Sequence, residues 1–103
     1  LILVPRREGV SESFDLVAQD RTLLWAEIDR VAATLKAITQ AKKINIASFG
    51  NMVPQLHIHI VARQENDPAW PGSAIGWDKP SHYPAEAPSF WSDLLSRLDL
   101  KER

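Results

Sequence analysis

The chain has 103 residues, 45% of them hydrophobic, enough for one compact domain over residues 1–103 that buries roughly two thirds of its unfolded surface. Twelve Lys and Arg against 13 Asp and Glu leave a net charge of -1, so no global field draws the protein to nucleic acid or a membrane. Cysteine is absent, which excludes disulfides, thiolate metal sites and cysteine nucleophiles and suits a reducing cytoplasm; no apolar run approaches the roughly 20 residues of a membrane helix.

The chain opens on the strand-like "LILVP", and its only methionine is Met52. It is therefore expected to be processed, trimmed or part of a longer natural sequence. Residues 1–4 read as a short strand of branched apolar residues, stopped by Pro5, which cannot donate to a ladder. Gly9 then opens a loop. From about Asp20 to Gln40, Leu24, Ile28, Val31, Leu35 and Ile38 recur at spacings of four, three, four and three, one stripe of an amphipathic helix. Asp20 is the expected N-cap. The opposite face carries Arg21, Glu27, Arg30 and Lys36, mixed charge that reads as solvated surface.

Lys43 to Ser48 alternates as a strand does, with Ile44 and Ile46 on one side and Asn45 and Ala47 on the other, and Gly50-Asn51 marks a turn. Residues 55–63 form the next strand, antiparallel to its neighbour across the short loop that holds Pro54. Between Gln64 and Ser89 the pattern is lost, and five of the seven prolines fall there with Trp70 and Trp77. This is a long loop excursion. Helical spacing returns through Phe90, Trp91, Leu94, Leu95 and Leu98, with Ser89 as the candidate cap. Short strands around one long helix, without βαβ alternation, predict an α+β fold with an antiparallel sheet. No GxGxxG or GxxxxGK[ST] phosphate loop occurs.

The chemistry concentrates in "NMVPQLHIHIVAR", residues 51–63. Alternation points Leu56, Ile58 and Ile60 one way and Gln55, His57, His59 and Val61 the other. Side chains two apart on one face lie roughly 7 Å from each other, so the polar triplet can touch different oxygens of one small ligand. Amides of the Gly50-Asn51 turn can point at an anion, and the Asn51 side chain can donate to it. Three readings compete. The histidines can be ordinary polar residues on a solvated face. They can hold a metal, with His82, Asp67 or Asp78 as third ligand, although the spacing singles none of them out. Or one imidazole attacks phosphorus while its neighbours hold the phosphate oxygens, the reading that uses every polar residue of the stretch.

The stretch "GNMVPQLHIHIVAR" resembles the signature of the histidine triad (HIT) family, His-φ-His-φ-His-φ-φ with φ apolar. Gln55 takes the first histidine position, His57 the second and His59 the third, with Ile60 and Val61 as the closing apolar pair. The similarity runs back through "LILVPRRE" and the long helix and covers most of residues 1–63; "DPAWPG" is similar to a proline-rich segment of one bacterial branch with hydrolase-like members. Where the family often has a further histidine, this chain reads Glu8 and Gly9.

The resemblance implies a HIT-like antiparallel sheet with one long helix and a C-terminal helix, the family's N-terminal strands lying outside these residues. It implies a nucleotide hydrolase or nucleotidyl transferase that works through a nucleotidyl-histidine on substrates such as dinucleoside polyphosphates. His57 is then the nucleophile at the α-phosphorus of a nucleotide ester, anhydride or phosphoramidate. His59 binds phosphate oxygens or assists the leaving group, Gln55 holds a hydrogen bond to imidazole or phosphate, and Gly50, Asn51 and Met52 form the phosphate-contacting turn. A neutral imidazole, with an ordinary pKa of about 6.5, is available for attack near pH 7, and no cofactor is called for. The expected partners are a nucleotide and a second copy of the chain in a homodimer. The alternatives are a nucleotide-binding or sensing protein of the same fold, a metal-binding HxH site, and a partner-binding module using Trp70 and Trp77.

Overall fold

In the computed structural model, residues 1–76 and 88–99 are described. Strand β1 is Ile2–Leu3, helix α1 Ala18–Thr39, β2 Lys43–Ala47, β3 Ile58–Arg63 and α2 Trp91–Arg97, with a 3-10 turn at Ser13–Asp15. The described strands form one antiparallel sheet in the order β1-β3-β2. β3 is thus the central strand, and the register sets Ala47 against His59, Asn45 against Val61 and Lys43 against Arg63.

The helical stripe is buried as its spacing requires. Leu24, Ile28, Val31 and Leu35 of α1 pack with Ile58 and Ile60 of the sheet, with Leu56 just before β3, and with Leu94 and Leu98 from the C-terminal helix region. Ile38 joins them half-buried, while Arg21, Glu27, Arg30 and Lys36 are exposed. Each fully buried aliphatic side chain in this layer contributes about 1.5–3 kcal/mol over its exposed state. The core therefore lies between α1 and one face of the sheet, and the odd-numbered face of β3 is left for chemistry.

Several boundaries move from the sequence expectation. Asp20 is not the N-cap: the helix begins two residues earlier, after an extended Val17. Its carboxylate instead accepts two bonds from the Arg7 guanidinium at 2.8 and 3.1 Å, and an acidic group in the first turn also suits the helix dipole. Gln40 ends α1 in the left-handed region (φ 56°) and donates from its side chain to the Ala37 carbonyl at 2.8 Å. β3 starts at Ile58, not at residue 55, because the Leu56 amide donates to the Val10 carbonyl at 2.8 Å, outside the ladder. Ser89 makes no cap bond, and α2 follows a turn in which Trp91 donates to the Pro88 carbonyl at 3.0 Å. Trp77, Asp78 and His82 lie outside the described residues.

Candidate functional site

Alternation holds across the motif: Leu56, Ile58 and Ile60 are buried, and Gln55, His57 and His59 are half-buried on the other face. The two imidazole rings meet edge to face, with centroids 5.2 Å apart and planes at 68°. Phe49 packs against the His59 ring in the same manner, at 6.1 Å. His59 is thus enclosed between an aromatic ring and a second imidazole. Burial, and after it the charge of His57 and of the N-terminus, holds its pKa below the usual 6.5.

His57 has a partner that no sequence pattern names. Its Nδ1 lies 2.7 Å from the main-chain carbonyl oxygen of Gln55. A carbonyl only accepts, so the proton sits on Nδ1, and Nε2 of the neutral ring carries the free lone pair. The side chain of Gln55 points to other work, with its Nε2 donating to the Arg7 carbonyl at 3.3 Å. This bond joins the motif to the loop after β1. Gln55 thus serves His57 through its backbone and anchors the neighbouring loop through its amide.

The turn entering the motif depends on Gly50, whose φ of 97° disfavours any L side chain. Gly50 is half-buried, whereas Asn51 and Met52 are exposed, Met52 at 94%. Among the described residues none of the three hydrogen-bonds to either histidine. Glu8 is exposed. The described residues contain no group of three or more His, Cys, Asp or Glu able to hold a metal ion, and Asp67, one of the third ligands considered, is taken by Arg63 at 2.6 Å. A 490 Å³ cavity is lined by Leu35, Ile60, Val61, Phe90 and Trp91 among others, and neither histidine is part of its lining.

The residue that the motif reading passed over is Arg63. It stands on the histidine face, four residues beyond His59, yet it is only 1% exposed. Asp67, close behind in the loop after β3, was the available signal, since a buried guanidinium needs an acidic partner.

These features define an α+β protein whose antiparallel sheet is backed by a long helix and carries an imidazole pair on the opposite face. The HIT domain family model matches residues 1–66, and no curated protein matches the chain. Among solved structures, a histidine triad protein from Sinorhizobium meliloti is 42% identical, with a TM-score of 0.83, over 95% of this chain and 71% of its own. One from Bradyrhizobium japonicum is also 42% identical, at a TM-score of 0.82 over 95% and 71% of the two chains. One from Marinobacter aquaeolei is 34% identical, at 0.80 over 94% and 69%. The chain belongs to the histidine triad family, whose members are nucleotide hydrolases or transferases.

Proposed function

We propose that this protein is a nucleotide hydrolase or nucleotidyl transferase in which His57 attacks the α-phosphorus of a nucleotide ester, anhydride or phosphoramidate, dinucleoside polyphosphates among them. The observation that carries the reading is the 2.7 Å contact between His57 Nδ1 and the Gln55 carbonyl, which leaves Nε2 as the nucleophile and supports the positive charge that grows on the ring during attack. The Nε2–P bond forms as the bond to the leaving group breaks, and the leaving group takes that electron pair and a proton from solvent. Water then attacks the same phosphorus, the P–N bond breaks, and the pair returns to Nε2 as the water proton passes to solvent.

His59, held neutral near pH 7 by its burial, donates a ring N–H to a phosphate oxygen. The Gly50, Asn51 and Met52 turn meets the phosphate from the other end of the motif. The reading treats residues 1–103 as one domain in a cytoplasmic setting, which the cysteine-free composition supports. It includes a homodimer built on the β2 edge, where Ile46 and Phe49, with Trp25 of α1 beside Ile46, leave 43%, 51% and 51% of their surface exposed.

The test is His57→Asn, assayed for release of nucleoside monophosphate from an adenosine phosphoramidate and a dinucleoside polyphosphate. Turnover should fall by at least about 10⁴-fold with the fold intact by circular dichroism. A variant with full activity would remove the nucleophile assignment. A binding-only role is favoured by one feature, the Gln55 side chain tied to Arg7 where the family has a histidine; calorimetric binding of nucleotide with no turnover by the wild-type chain would select it.

A further inference from the structure

His57 and His59 are held in different ways. His57 is fixed by the bond between its Nδ1 and the Gln55 carbonyl, whereas two rings bear on the His59 imidazole, His57 at 5.2 Å and Phe49 at 6.1 Å, each edge to face at 68°. Both separations fall in the range, roughly 4.5–7 Å, where ring pairs attract beyond the area they bury.

The sheet explains why the second ring comes from a loop. Residues directly opposite across a ladder share a face, and those opposite His59 are Ile2 of β1 and Ala47 of β2. The Ala47 methyl is too short to grip an imidazole. Phe49, two residues on and past the end of β2, reaches the ring instead, and Gly50 turns the chain immediately after it at φ 97°. The ring is thus placed by β2 on one side and by the turn on the other.

Rotation about the bond to a planar ring is soft and broad, so a histidine on a strand can present its N–H in many directions. A ring packed edge to face restricts that rotation. Phe49 lies outside the buried core and keeps 51% of its surface exposed, so packing of the core does not account for its place beside His59.

We propose that Phe49 is a positioning residue for the histidine site: its ring fixes the His59 imidazole so that the N–H of that imidazole meets a non-bridging oxygen of the phosphate under attack by His57. The inference rests on the nucleotide reading above and adds to it a residue that acts through His59. The charged groups facing His59 are His57 on its own strand and the ammonium of Leu1 ahead of β1, while β2 presents Ala47 and the loop presents Phe49. Burial outranks both charges in holding His59 below 6.5, and Phe49 supplies part of that burial.

The test is Phe49→Ala, set beside Phe49→Tyr, which keeps the ring. In Phe49→Ala, kcat/KM for an adenosine phosphoramidate should fall about three- to tenfold. The His59 pKa, followed by NMR titration of the ring protons, should rise toward 6.5 as water reaches the imidazole. Phe49→Tyr should leave both close to wild type. In a His59→Gln background, Phe49→Ala should cost nothing further in kcat/KM, because the side chain it positions is gone. Unchanged kcat/KM in Phe49→Ala, or a loss that multiplies with that of His59→Gln, would overturn the positioning role, and an unmoved or lowered His59 pKa would overturn the contact. Should Phe49→Ala not fold, Phe49→Leu keeps the apolar bulk without the ring and is read by the same cycle.

Phe49 also lies on the proposed dimer edge, so Ile46→Lys is the control, opening that edge from the core face of β2, where Ile46 stands opposite Ile60. A wild-type His59 titration in Ile46→Lys supports the role of Phe49. A pKa raised there as in Phe49→Ala assigns the change to assembly and overturns it. A wild-type chain without any turnover overturns the parent reading together with this one, whereas an active wild type beside an unaffected Phe49→Ala overturns this one alone.

Discussion

Gly50→Ala tests how the backbone of the turn serves the site. At Gly50 φ is 97°, and an added Cβ would stand 3.4 Å from the Val53 carbonyl oxygen and 3.8 Å from that of Pro54. Those are ordinary contacts, so the cost is conformational. Holding an alanine there costs about 1–3 kcal/mol, and the stiffer unfolded chain returns about 0.4–1 kcal/mol. The net loss is about 1–2 kcal/mol. With an unfolding entropy of about 2.1 cal/mol/K per residue, the melting temperature should fall by about 5–9 °C in a calorimetric scan.

The same strain is relieved if the turn moves. The turn carries the chain into Gln55, whose carbonyl holds His57 Nδ1, and a displacement near 1 Å at a reacting group can cost about 100-fold in rate. kcat/KM well below the melting range should therefore drop by about 10–100-fold. An unchanged melting temperature would refute the backbone argument. A lowered one with wild-type kcat/KM would show that the turn is separate from the site.

Two further outcomes follow from exposure and charge. Because the folded chain holds the His59 pKa below 6.5, it binds fewer protons than the unfolded chain between that lowered value and 6.5. The His59 contribution is then fully present above 6.5 and is lost as pH falls through the folded value. His59→Gln should show a smaller loss of melting temperature between about pH 7.5 and 5.5 than wild type; an equal loss would contradict the burial of His59. For the dimer, sedimentation equilibrium at micromolar concentration should give twice the chain mass, and Ile46→Lys, on the edge strand, should give the monomer. A wild-type monomer at that concentration would remove the second copy from the proposal.

Much of the architecture could be read from local pattern. The α1 stripe and the alternation of β3 are periodicities of 3.6 and 2, set by backbone geometry that each residue carries with it, and Leu24, Ile28, Val31, Leu35, Ile58 and Ile60 are buried accordingly. The histidine motif likewise placed His57 and His59 on one face. Element ends were less legible, because they depend on partners distant in sequence. Asp20 left the cap for Arg7, and Leu56 left the ladder for Val10.

The sequence by itself determined which side chains share a face and therefore where two imidazoles could act together. Only the tertiary structure decided what they act with. The ring nitrogen of His57 is set by a carbonyl that every residue type possesses, so no pattern of side chains announces it. Arg63 reads in sequence as the polar end of a strand, and it is buried because Asp67, Gly72 and Asn45, from two other segments, converge on its guanidinium. Charge can enter the interior only where such partners meet it, and that meeting is a property of the fold.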